Sequence, residues 1–379
     1  MSIPVLRPYF GDDEVEAIRE VLNSGWVGPG TKVEVFEKAF ADYVGTRFAV
    51  SLNSCSSALF LSMKVLDIAG REVITTPMTF VSTNHAILQN DGTPVFCDID
   101  AETLNISPES IEANVTDKTA AIVVMHHSGH ACDMNPILEI ANARDIPVIE
   151  DAAHAAGGRY KGRMAGSLGT VGCFSFHALK NMTTGDGGML TTDDEEIAAR
   201  VKNLRWMGIT RGTYDRFRRN GRARAWEYDI EEVGYKFHMN DLTAAIGLIQ
   251  LAKLESSNAA RREISLQYRK ALGDLPWLEL PEEKEYARSA HHMFVIRAKD
   301  RDGLIEHLAE HEIDAGVHYQ PNHLYTVYEP YRRSLPVTEQ VWQDIVTLPL
   351  HPAMTDDDIG RVIAAVRDFS PKPEAAPGS

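Results

Sequence analysis

The chain has 379 residues, a hydrophobic fraction of 44% and a formal net charge of −16. This length is enough for two or three domains, and the negative charge argues against a nucleic-acid binder that relies on an overall positive field. The N-terminal residues lack the basic start and apolar run of a signal peptide, and no apolar stretch reaches the ~18 residues of a membrane span. We therefore expect a cytoplasmic protein without membrane or nucleic-acid partners, whose separated cysteines stay reduced: Cys55, Cys97, Cys132 and Cys173.

Amphipathic helices alternate with short apolar strands through the first half of the chain. Helical spacing predicts helices at 14–22, 33–43, 58–66 and 136–144. Apolar runs predict strands at 48–52, 72–76, 94–98, 120–125, 147–151 and 173–176. Such alternation favours right-handed crossovers, so we expect an α/β fold with a mostly parallel sheet between helices. Ligands bind at the carboxyl ends of the strands in sheets of this kind.

The pattern changes after Asp193. A long helix at 240–272 leads to a smaller unit, with strands predicted at 292–297 and 315–319 and helices at 302–310 and 357–369. We divide the chain into a large domain over 1–255, a smaller C-terminal α+β domain over 256–370 and a disordered tail over 371–379. No GxGxxG motif follows the first strand, which argues against a nicotinamide-dependent dehydrogenase.

An acidic pair ends the strand predicted at 147–151. Glu150 and Asp151 close this apolar run, and His154 follows three residues later. Because ligands bind at the carboxyl end of a parallel strand, the Asp151 carboxylate is a candidate for chemistry. The structural alternative is that Asp151 caps the turn that follows.

Lys180 lies between the strand at 173–176 and a turn rich in glycine, with Gly185, Gly187 and Gly188. Glycine allows the backbone to turn tightly and to approach a neighbour closely. A lysine in a partly buried site loses solvation, so its pKa falls and its amine becomes a nucleophile that can form a Schiff base with an aldehyde. The alternative is an ordinary solvated lysine.

Two further segments lie just past predicted strand ends. The segment 54–57, Ser-Cys-Ser-Ser, leads into a helix, where hydroxyl groups and backbone N–H groups form an anion site or simply cap the helix. Phe80, in the segment 77–83, could lie flat against a cofactor ring or pack in the core. Together with a carboxylate and a lysine, these are the parts that a pyridoxal phosphate site requires. The carboxylate keeps the pyridinium nitrogen protonated, and the lysine holds the aldehyde and moves protons.

The sequence resembles the sugar aminotransferase (DegT/DnrJ/EryC1/StrS) family of fold-type I pyridoxal phosphate enzymes. The resemblance covers about residues 5–369 and rests above all on the segment 150–192, EDAAHAAGGRYKGRMAGSLGTVGCFSFHALKNMTTGDGGMLTT. Supporting segments are SGWVGPGTKVEVFEKAFADYVG (24–45), VGYKFHMNDLTAAIGLIQL (233–251) and LPLHP (348–352). The resemblance implies a fold-type I transferase with pyridoxal 5′-phosphate as its cofactor.

The resemblance also implies roles for matching residues. Lys180 carries the cofactor and moves protons, Asp151 pairs with the pyridine nitrogen, and His154 lies near the ring hydroxyl. Phe80 stacks on the ring. Contacts to the cofactor phosphate are implied for Ser175, Cys55 and Ser56.

Two segments depart from the family pattern. The family has Ser-Gly-Thr at the phosphate turn, where this chain has Ser54-Cys55-Ser56. Many members have Asn in place of Lys236 and Arg in place of His238. In the family this second segment reaches the partner subunit's site and touches the phosphate, so the resemblance implies a homodimer with shared active sites. Lys236 could act there as a point charge, and whether Lys236, His238 or Asn240 makes the contact is open.

The implied reaction is transfer of an amino group, usually from L-glutamate, to a keto-sugar carried on a nucleotide, with the cofactor passing through its pyridoxamine (PMP) form. Arg205–Arg224 contains seven arginines and one acid, which is typical of a flap for a diphosphate or of a solvated loop. The form of the segment Ser-Gly-x-x-Cys-Asp-Met at 128–134 is closer to members that act on 4-keto sugars. The proposed acceptor is therefore a dTDP-4-keto-6-deoxyglucose, and a 3-keto sugar or an aminocyclitol precursor is the alternative.

Substrate contacts are assigned to residues of two segments. Trp26 and Gly28 come from the N-terminal motif, and the others from the small domain: His318, Tyr319 and His323. Core packing competes as the explanation for Tyr319. Three histidines at 126, 127 and 130 invite a metal site, but no further ligands follow at suitable spacing, and we assign no metal.

Two alternatives come from other functional classes. Family members that catalyse dehydration carry His in place of the cofactor lysine, so Lys180 argues against that activity. A non-catalytic regulatory or binding protein is the other alternative, and the intact pair of Asp151 and Lys180 argues against it.

Overall fold

The fold is built on a mixed sheet flanked by helices. The computed structural model describes residues 2–210 and 228–372. Its strands, in chain order, are β1 (Phe48–Leu52), β2 (Glu72–Thr75), β3 (Thr93–Phe96), β4 (Thr119–Met125), β5 (Val148–Asp151), β6 (Arg159–Tyr160), β7 (Arg163–Met164), β8 (Val171–Ser175), β9 (Gly188–Thr192), β10 (Leu278–Glu279), β11 (Ala287–Arg288), β12 (Phe294–Ala298) and β13 (Ile345–Leu348).

The helices within the described ranges lie mostly where apolar periodicity predicts them. They are α1 (Asp12–Ser24), α2 (Thr31–Val44), α3 (Cys55–Val65), α4 (Val81–Gln89), α5 (Pro108–Asn114), α6 (Met134–Asn142), α7 (Glu195–Leu204), α8 (Asp241–Leu272), α9 (Arg301–Glu310), α10 (Pro336–Asp344) and α11 (Asp356–Asp368). The sequence did not predict α4, α5, α7 or α10. Among these described residues, no helix is long and apolar enough to cross a membrane.

The central sheet has seven strands in the order β1-β9-β8-β5-β4-β2-β3. β9 runs antiparallel to both of its neighbours, and the other neighbouring pairs are parallel. This confirms the predicted α/β fold with a mostly parallel sheet. Because the parallel strands point the same way, the residues that follow β2, β5 and β8 meet at one edge of the sheet.

A smaller unit is formed around a three-stranded antiparallel sheet in the order β10-β12-β13. Its apolar core includes Tyr268 of α8, Leu304 of α9 and Val362 of α11, each fully buried. Ile3 also packs in this core and pairs with Ile313, although the predicted boundary assigns it to the large domain. The division at residue 255 stays a prediction.

The strand predicted at 315–319 is wrong. Gly316 makes a single bridge to Thr347, and no strand forms. The apolar and aromatic residues that suggested a strand serve another purpose, because His318 and Tyr319 leave the sheet edge and border a cavity. Residues 373–379 of the predicted tail lie outside the described residues. Residues 211–227, which include most of the arginine-rich segment, lie outside them as well.

Candidate active site

A cavity of about 400 Å³ lies at the carboxyl ends of the central strands, against the small unit. It brings together most of the residues that the sequence proposed. Bordering it are Cys55, Ser56, Phe80, Asp151, His154, Ser175, Lys180, His318 and Tyr319. They come from five separate stretches of chain, so their convergence is a property of the fold.

Asp151 ends β5 and is almost fully buried. Its Oδ2 accepts a hydrogen bond of 2.7 Å from the Thr83 hydroxyl, and its Oδ1 accepts one of 3.1 Å from the Ala153 N–H. Burial raises the pKa of Asp151, because the charged carboxylate has lost water and has only neutral donors to replace it. Among the described residues it has no ion-pair partner, so a cationic group placed against it would be stabilised strongly.

Glu150, the preceding residue, points to the other face of the sheet because side chains alternate along a strand. Its carboxylate accepts four hydrogen bonds, from His126 Nε2 at 2.8 Å and from the backbone N–H groups of residues 166, 168 and 169 at 2.8, 2.7 and 2.6 Å. Burial opposes its charge, yet these donors hold the pKa of Glu150 below its usual value. Of the two acids, Glu150 therefore fixes a loop, and Asp151 faces the cavity.

Lys180 is held in the turn between β8 and β9. Its N–H donates to the His177 carbonyl at 2.9 Å, and its side chain borders the cavity. Burial lowers the pKa of Lys180 to about 8, although the Asp151 carboxylate acts in the opposite direction. The desolvation that the sequence predicted for this lysine is present, and at neutral pH a fraction of its amine carries a free electron pair.

The first turn of α3 forms one end of the cavity. Ser54 caps this helix, because its hydroxyl accepts a hydrogen bond of 3.1 Å from the Ser57 N–H. Cys55 and Ser56 follow at the helix N-terminus, where the helix dipole favours an anion. Burial raises the pKa of the Cys55 thiol well above its usual value, so the thiol stays neutral and does not repel an anion.

Gly188 makes this arrangement possible. A Cβ added at Gly188 would lie 2.3 Å from the carbonyl carbon of Ser54 and 2.5 Å from the Cys55 nitrogen. Only glycine lets β9 pass so close to the start of α3. The glycine-rich turn after Lys180 thus places strand and helix N-terminus in direct contact.

A wall of neutral aromatic side chains closes another side of the cavity. His154 is buried, its Nε2 lies 3.1 Å from the Tyr319 hydroxyl, and its ring centroid lies 4.3 Å from that of His292. Burial lowers the pKa of His154 and of His292 well below the usual value and that of His318 to about 4. The hydrogen bond between Tyr319 and His154 joins the small unit to the large one at the site.

Phe80 and Leu179 lie at the open side of the cavity. The Phe80 side chain is 57% exposed and that of Leu179 is 38% exposed, which is high for large apolar residues that border a pocket. The Phe80 ring lies 6.3 Å from the Tyr319 ring. Phe80 is therefore not a core residue, and its ring is available to a ligand.

Four proposed residues are not brought to this cavity. The ammonium of Lys236 lies 3.7 Å from the centre of the Trp206 ring, and Trp26 and Gly28 lie in the connection between α1 and α2. His323 is buried beside Glu339, with 3.3 Å between Nε2 and Oε1. Its ring also packs near Phe96, so in this chain His323 has a structural environment.

Arg205, the first residue of the segment predicted as a flap, has a mostly buried side chain. Its guanidinium forms an ion pair with the buried Glu37 and donates to the Ser51 carbonyl at 2.7 Å. Glu37 also accepts from the Ser51 hydroxyl at 2.8 Å. Arg211 and the arginines up to Arg224 lie outside the described residues, so the flap stays a prediction for that part.

The three histidines at 126–130 have separate partners. His126 binds Glu150, His127 Nε2 lies 3.0 Å from the His318 carbonyl, and His130 Nε2 accepts from the Lys284 N–H at 3.0 Å. Each ring is therefore used to join segments of the fold.

Sequence reasoning missed several residues of the site, among them Thr83 and His292. Thr83 follows Phe80 at helical spacing, and this spacing was the available signal that the two side chains approach the same region. His292 precedes β12 in an apolar run and carries no local signal, because its position against His154 depends on how the two units pack.

The cavity fits pyridoxal phosphate by the chemistry of its donor set. The buried Asp151 lacks a cationic partner, and His154 keeps a buried Nδ1 without a hydrogen-bond partner among the described residues. A buried carboxylate such as that of Asp151 binds a ring N–H, and an imidazole such as that of His154 binds a ring hydroxyl. A phosphate fits the helix N-terminus at Cys55 and the hydroxyl of Ser175. An aldehyde fits the amine of Lys180.

Comparison with known proteins agrees with this chemistry. Residues 8–367 match the model of the DegT/DnrJ/EryC1/StrS aminotransferase family. The spore coat polysaccharide biosynthesis protein SpsC of Bacillus subtilis is 42% identical in an alignment 379 positions long, which covers 97% of each chain.

Solved structures show the same likeness. The aminotransferase TlmJ of Streptoalloteichus hindustanus superposes with a TM-score of 0.91 and 35% identity, covering 96% of this chain and 98% of that one. The putative sugar aminotransferase Spr1654 of Streptococcus pneumoniae, in its PMP form, superposes with a TM-score of 0.90 and 30% identity over the same shares.

Proposed function

Because this chain belongs to the DegT/DnrJ/EryC1/StrS aminotransferase family and is a pyridoxal phosphate-dependent sugar aminotransferase, we propose that it transfers the amino group of L-glutamate to a nucleotide-linked 4-keto sugar. The proposed acceptor is dTDP-4-keto-6-deoxyglucose, which would give a 4-amino-4,6-dideoxy sugar. The observation that carries the catalytic part is that Asp151 and Lys180 border one cavity, each in a partly desolvated state.

Asp151 is the proposed partner of the ring nitrogen. When bound, pyridoxal phosphate acts as an electron sink for the carbon that loses or gains a proton. Asp151 would hold a proton on the ring nitrogen, since its carboxylate is buried and forms no direct ion pair within the described residues. The bond from Thr83 fixes the orientation of this carboxylate.

Lys180 is the proposed carrier of the cofactor and the base that moves protons during transfer. A pKa of about 8 suits both tasks, because the amine can give and take a proton near neutral pH. The neutral rings of His154 and His292 add no charge beside it. Ser175, Cys55 and Ser56 are the proposed contacts of the phosphate.

The sugar is proposed to bind at the open side of the cavity. Phe80 borders that side and offers an apolar ring to a keto-sugar. His318 and Tyr319 border the same cavity and offer a neutral imidazole and a hydroxyl. The preference for a 4-keto sugar rests on the Ser-Gly-x-x-Cys-Asp-Met form of residues 128–134. This segment directly follows His127, whose Nε2 lies 3.0 Å from the His318 carbonyl.

We also propose that the enzyme acts as a homodimer with shared sites. Lys236 lies outside the cavity of its own chain, and large apolar side chains remain exposed near the open side at Phe80 and Leu179. A second copy would cover these residues and could bring its own Lys236 to the phosphate. Trp26 and Gly28 are proposed to reach the substrate in the same way.

The test of the acceptor is a panel of matched 3-keto and 4-keto nucleotide sugars with L-glutamate as donor. The purified holoenzyme should convert the 4-keto sugar, and NMR of the product should place the new amine at C4. Amination of the 3-keto sugar alone would overturn the regiochemistry, while leaving the aminotransferase activity in place. L-Aspartate and L-alanine serve as donor controls.

A further inference from the structure

A second cavity, of about 280 Å³, lies between the large and small units. Its walls include the segment 101–104, Ser128 after β4, the inward face of α8 and the segment 279–283. It is separate from the cofactor cavity, and the proposed function uses none of the polar groups discussed below.

Carboxylates that border this second cavity already have cationic partners. Glu102 and Glu282 both bind Lys284, and Glu279 binds Arg297 with 2.7 Å between Oε2 and Nη1. Glu283 binds Arg262, with its two oxygens 3.0 and 3.1 Å from the guanidinium. The carboxylate charges around the cavity are therefore largely neutralised by neighbouring lysine and arginine side chains.

Arg269 of α8 has no such partner. It borders the cavity, and among residues 2–210 and 228–372 its guanidinium makes no hydrogen bond and no ion pair. Burial lowers the pKa of Arg269, while the carboxylates of Glu283 and Glu282 act in the opposite direction. Because these carboxylates are directly bonded to other cations, the partly desolvated Arg269 guanidinium favours an anion in its reach.

Two further polar groups border the same cavity without a hydrogen-bond partner among the described residues. Ser265 precedes Arg269 by one turn of α8 and is 1% exposed, and its hydroxyl makes no hydrogen bond within the described ranges. His291 is buried, and its Nε2 also lacks a hydrogen-bond partner, with 3.8 Å to the nearest Glu283 oxygen. Buried polar groups are normally paired, so unpaired donors around one cavity indicate a missing ligand.

We propose that this cavity is a second ligand site, which binds a small oxyanion (a carboxylate or a phosphate) on Arg269, Ser265 and His291. The guanidinium supplies the charge and paired N–H donors, the hydroxyl supplies a third donor, and the imidazole supplies an N–H when its tautomer allows. The cavity has room for an anion of a few heavy atoms and not for a nucleotide sugar.

The site is in contact with the cofactor cavity through shared walls. Met293 borders both cavities, and His291 is followed directly by His292, whose ring packs on His154. The segment that contains His291 and His292 is also joined to the segment after β4, because the His292 N–H donates to the Ser128 carbonyl at 2.9 Å. An anion on His291 therefore acts on a segment that supports the active site.

The experiment is calorimetric titration of the cofactor-loaded enzyme with inorganic phosphate and, in a separate arm, with succinate. We expect saturable binding of at least one anion, weakened about tenfold or more in Arg269→Gln and several-fold in Ser265→Ala. Binding of phosphate alone or of succinate alone identifies the kind of oxyanion. The control is Arg144→Gln, which removes an exposed arginine of the surface and should leave binding unchanged.

The cofactor cavity is the competing place for either anion. Binding there would survive in Arg269→Gln, so an unchanged affinity in that variant overturns the proposal, as does a wild-type enzyme that binds neither anion. Full loading with cofactor, read from visible absorbance, shows that each variant is folded. This readout also separates the second site from the proposed aminotransferase reaction, because the 4-keto assignment can fail while anion binding at Arg269 stands.

Discussion

The hydroxyl of Thr83 donates a hydrogen bond of 2.7 Å to Oδ2 of Asp151, across 68 positions of sequence. The same hydroxyl lies 2.8 Å from that of Thr79, so a short chain of polar groups leads from the loop after β2 to the carboxylate. Because a buried carboxylate that can rotate is a poor partner for a ring nitrogen, we propose that Thr83 is a positioning residue for Asp151.

Removing this hydroxyl should weaken cofactor binding. Thr83→Val keeps the shape of the side chain but leaves one carboxylate oxygen without its donor, a loss of about 1.5–3 kcal/mol for a bond to a charged group. We expect the dissociation constant of pyridoxal phosphate to rise about tenfold or more, measured by equilibrium dialysis. Thr83→Ser keeps the hydroxyl and is the matched control. Equal affinity in the valine and serine variants would show that Asp151 does not need this bond.

Loss of the amine at position 180 should abolish turnover. In Lys180→Ala we expect no amino transfer, because no other amine among the described cavity residues can take its place. The wild-type enzyme should be yellow, and borohydride should fix the cofactor on the peptide that contains Lys180, as read by mass spectrometry. Lys161→Ala, on the surface, should behave as wild type. A colourless wild-type protein that takes up no cofactor would contradict the assignment.

Uptake of the cofactor by the apoenzyme should depend on pH through Lys180. The neutral amine is the reactive form, so the rate should rise as pH passes through about 8 and then level off. The Asp151 charge raises the pKa of Lys180, and its removal in Asp151→Asn should therefore move the midpoint to lower pH. Stopped-flow absorbance measures this rate. Asp186→Asn removes another acid of the cavity and should leave the midpoint in place; an unmoved midpoint in Asp151→Asn would count against the coupling.

Shared sites predict complementation between two inactive variants. In a hybrid dimer of Lys180→Ala and Lys236→Ala, one site carries both defects and the other carries neither. Random exchange of subunits should restore roughly a quarter of wild-type activity, since about half of the dimers are hybrids with one intact site. Each variant alone should remain impaired. A mixture no more active than its components would mean that Lys236 does not serve the partner's site.

Glu150 should matter for stability and not for chemistry. Glu150→Gln puts an amide where four donors converge, and we expect the free energy of unfolding to fall by about 2–4 kcal/mol. Since the pKa of Glu150 is lowered in the folded state, its contribution is present above the unfolded-state pKa and is lost as pH falls through the folded-state pKa. Urea unfolding at two pH values measures this. Glu306→Gln, an exposed change on α9, is the control, and equal stability of the two variants would contradict the role.

Much of the site was predictable because its parts lie at strand ends. Asp151 and Ser175 end β5 and β8, and Phe80 and Lys180 follow strands within a few residues. Alternating helices and strands predict a parallel sheet, and a parallel sheet brings its carboxyl ends together. Local pattern therefore suffices to predict that these residues lie at one edge of the sheet.

The rest depended on contacts between distant segments. Thr83 reaches Asp151 and His292 reaches His154 only through tertiary packing, which no local pattern encodes. Arg205 is the first residue of the basic segment in the sequence, yet its guanidinium pairs with Glu37, which lies 168 positions away. For the same reason the segment 315–319 was predicted as a strand, although its side chains are used at the cavity.

Met293 borders both cavities. For protein engineering this means that a change at position 293 alters the proposed substrate pocket and the interdomain pocket together. A smaller residue at 293, introduced to admit a bulkier sugar, would also enlarge the second cavity. Libraries aimed at new acceptors should therefore vary position 293 together with α8.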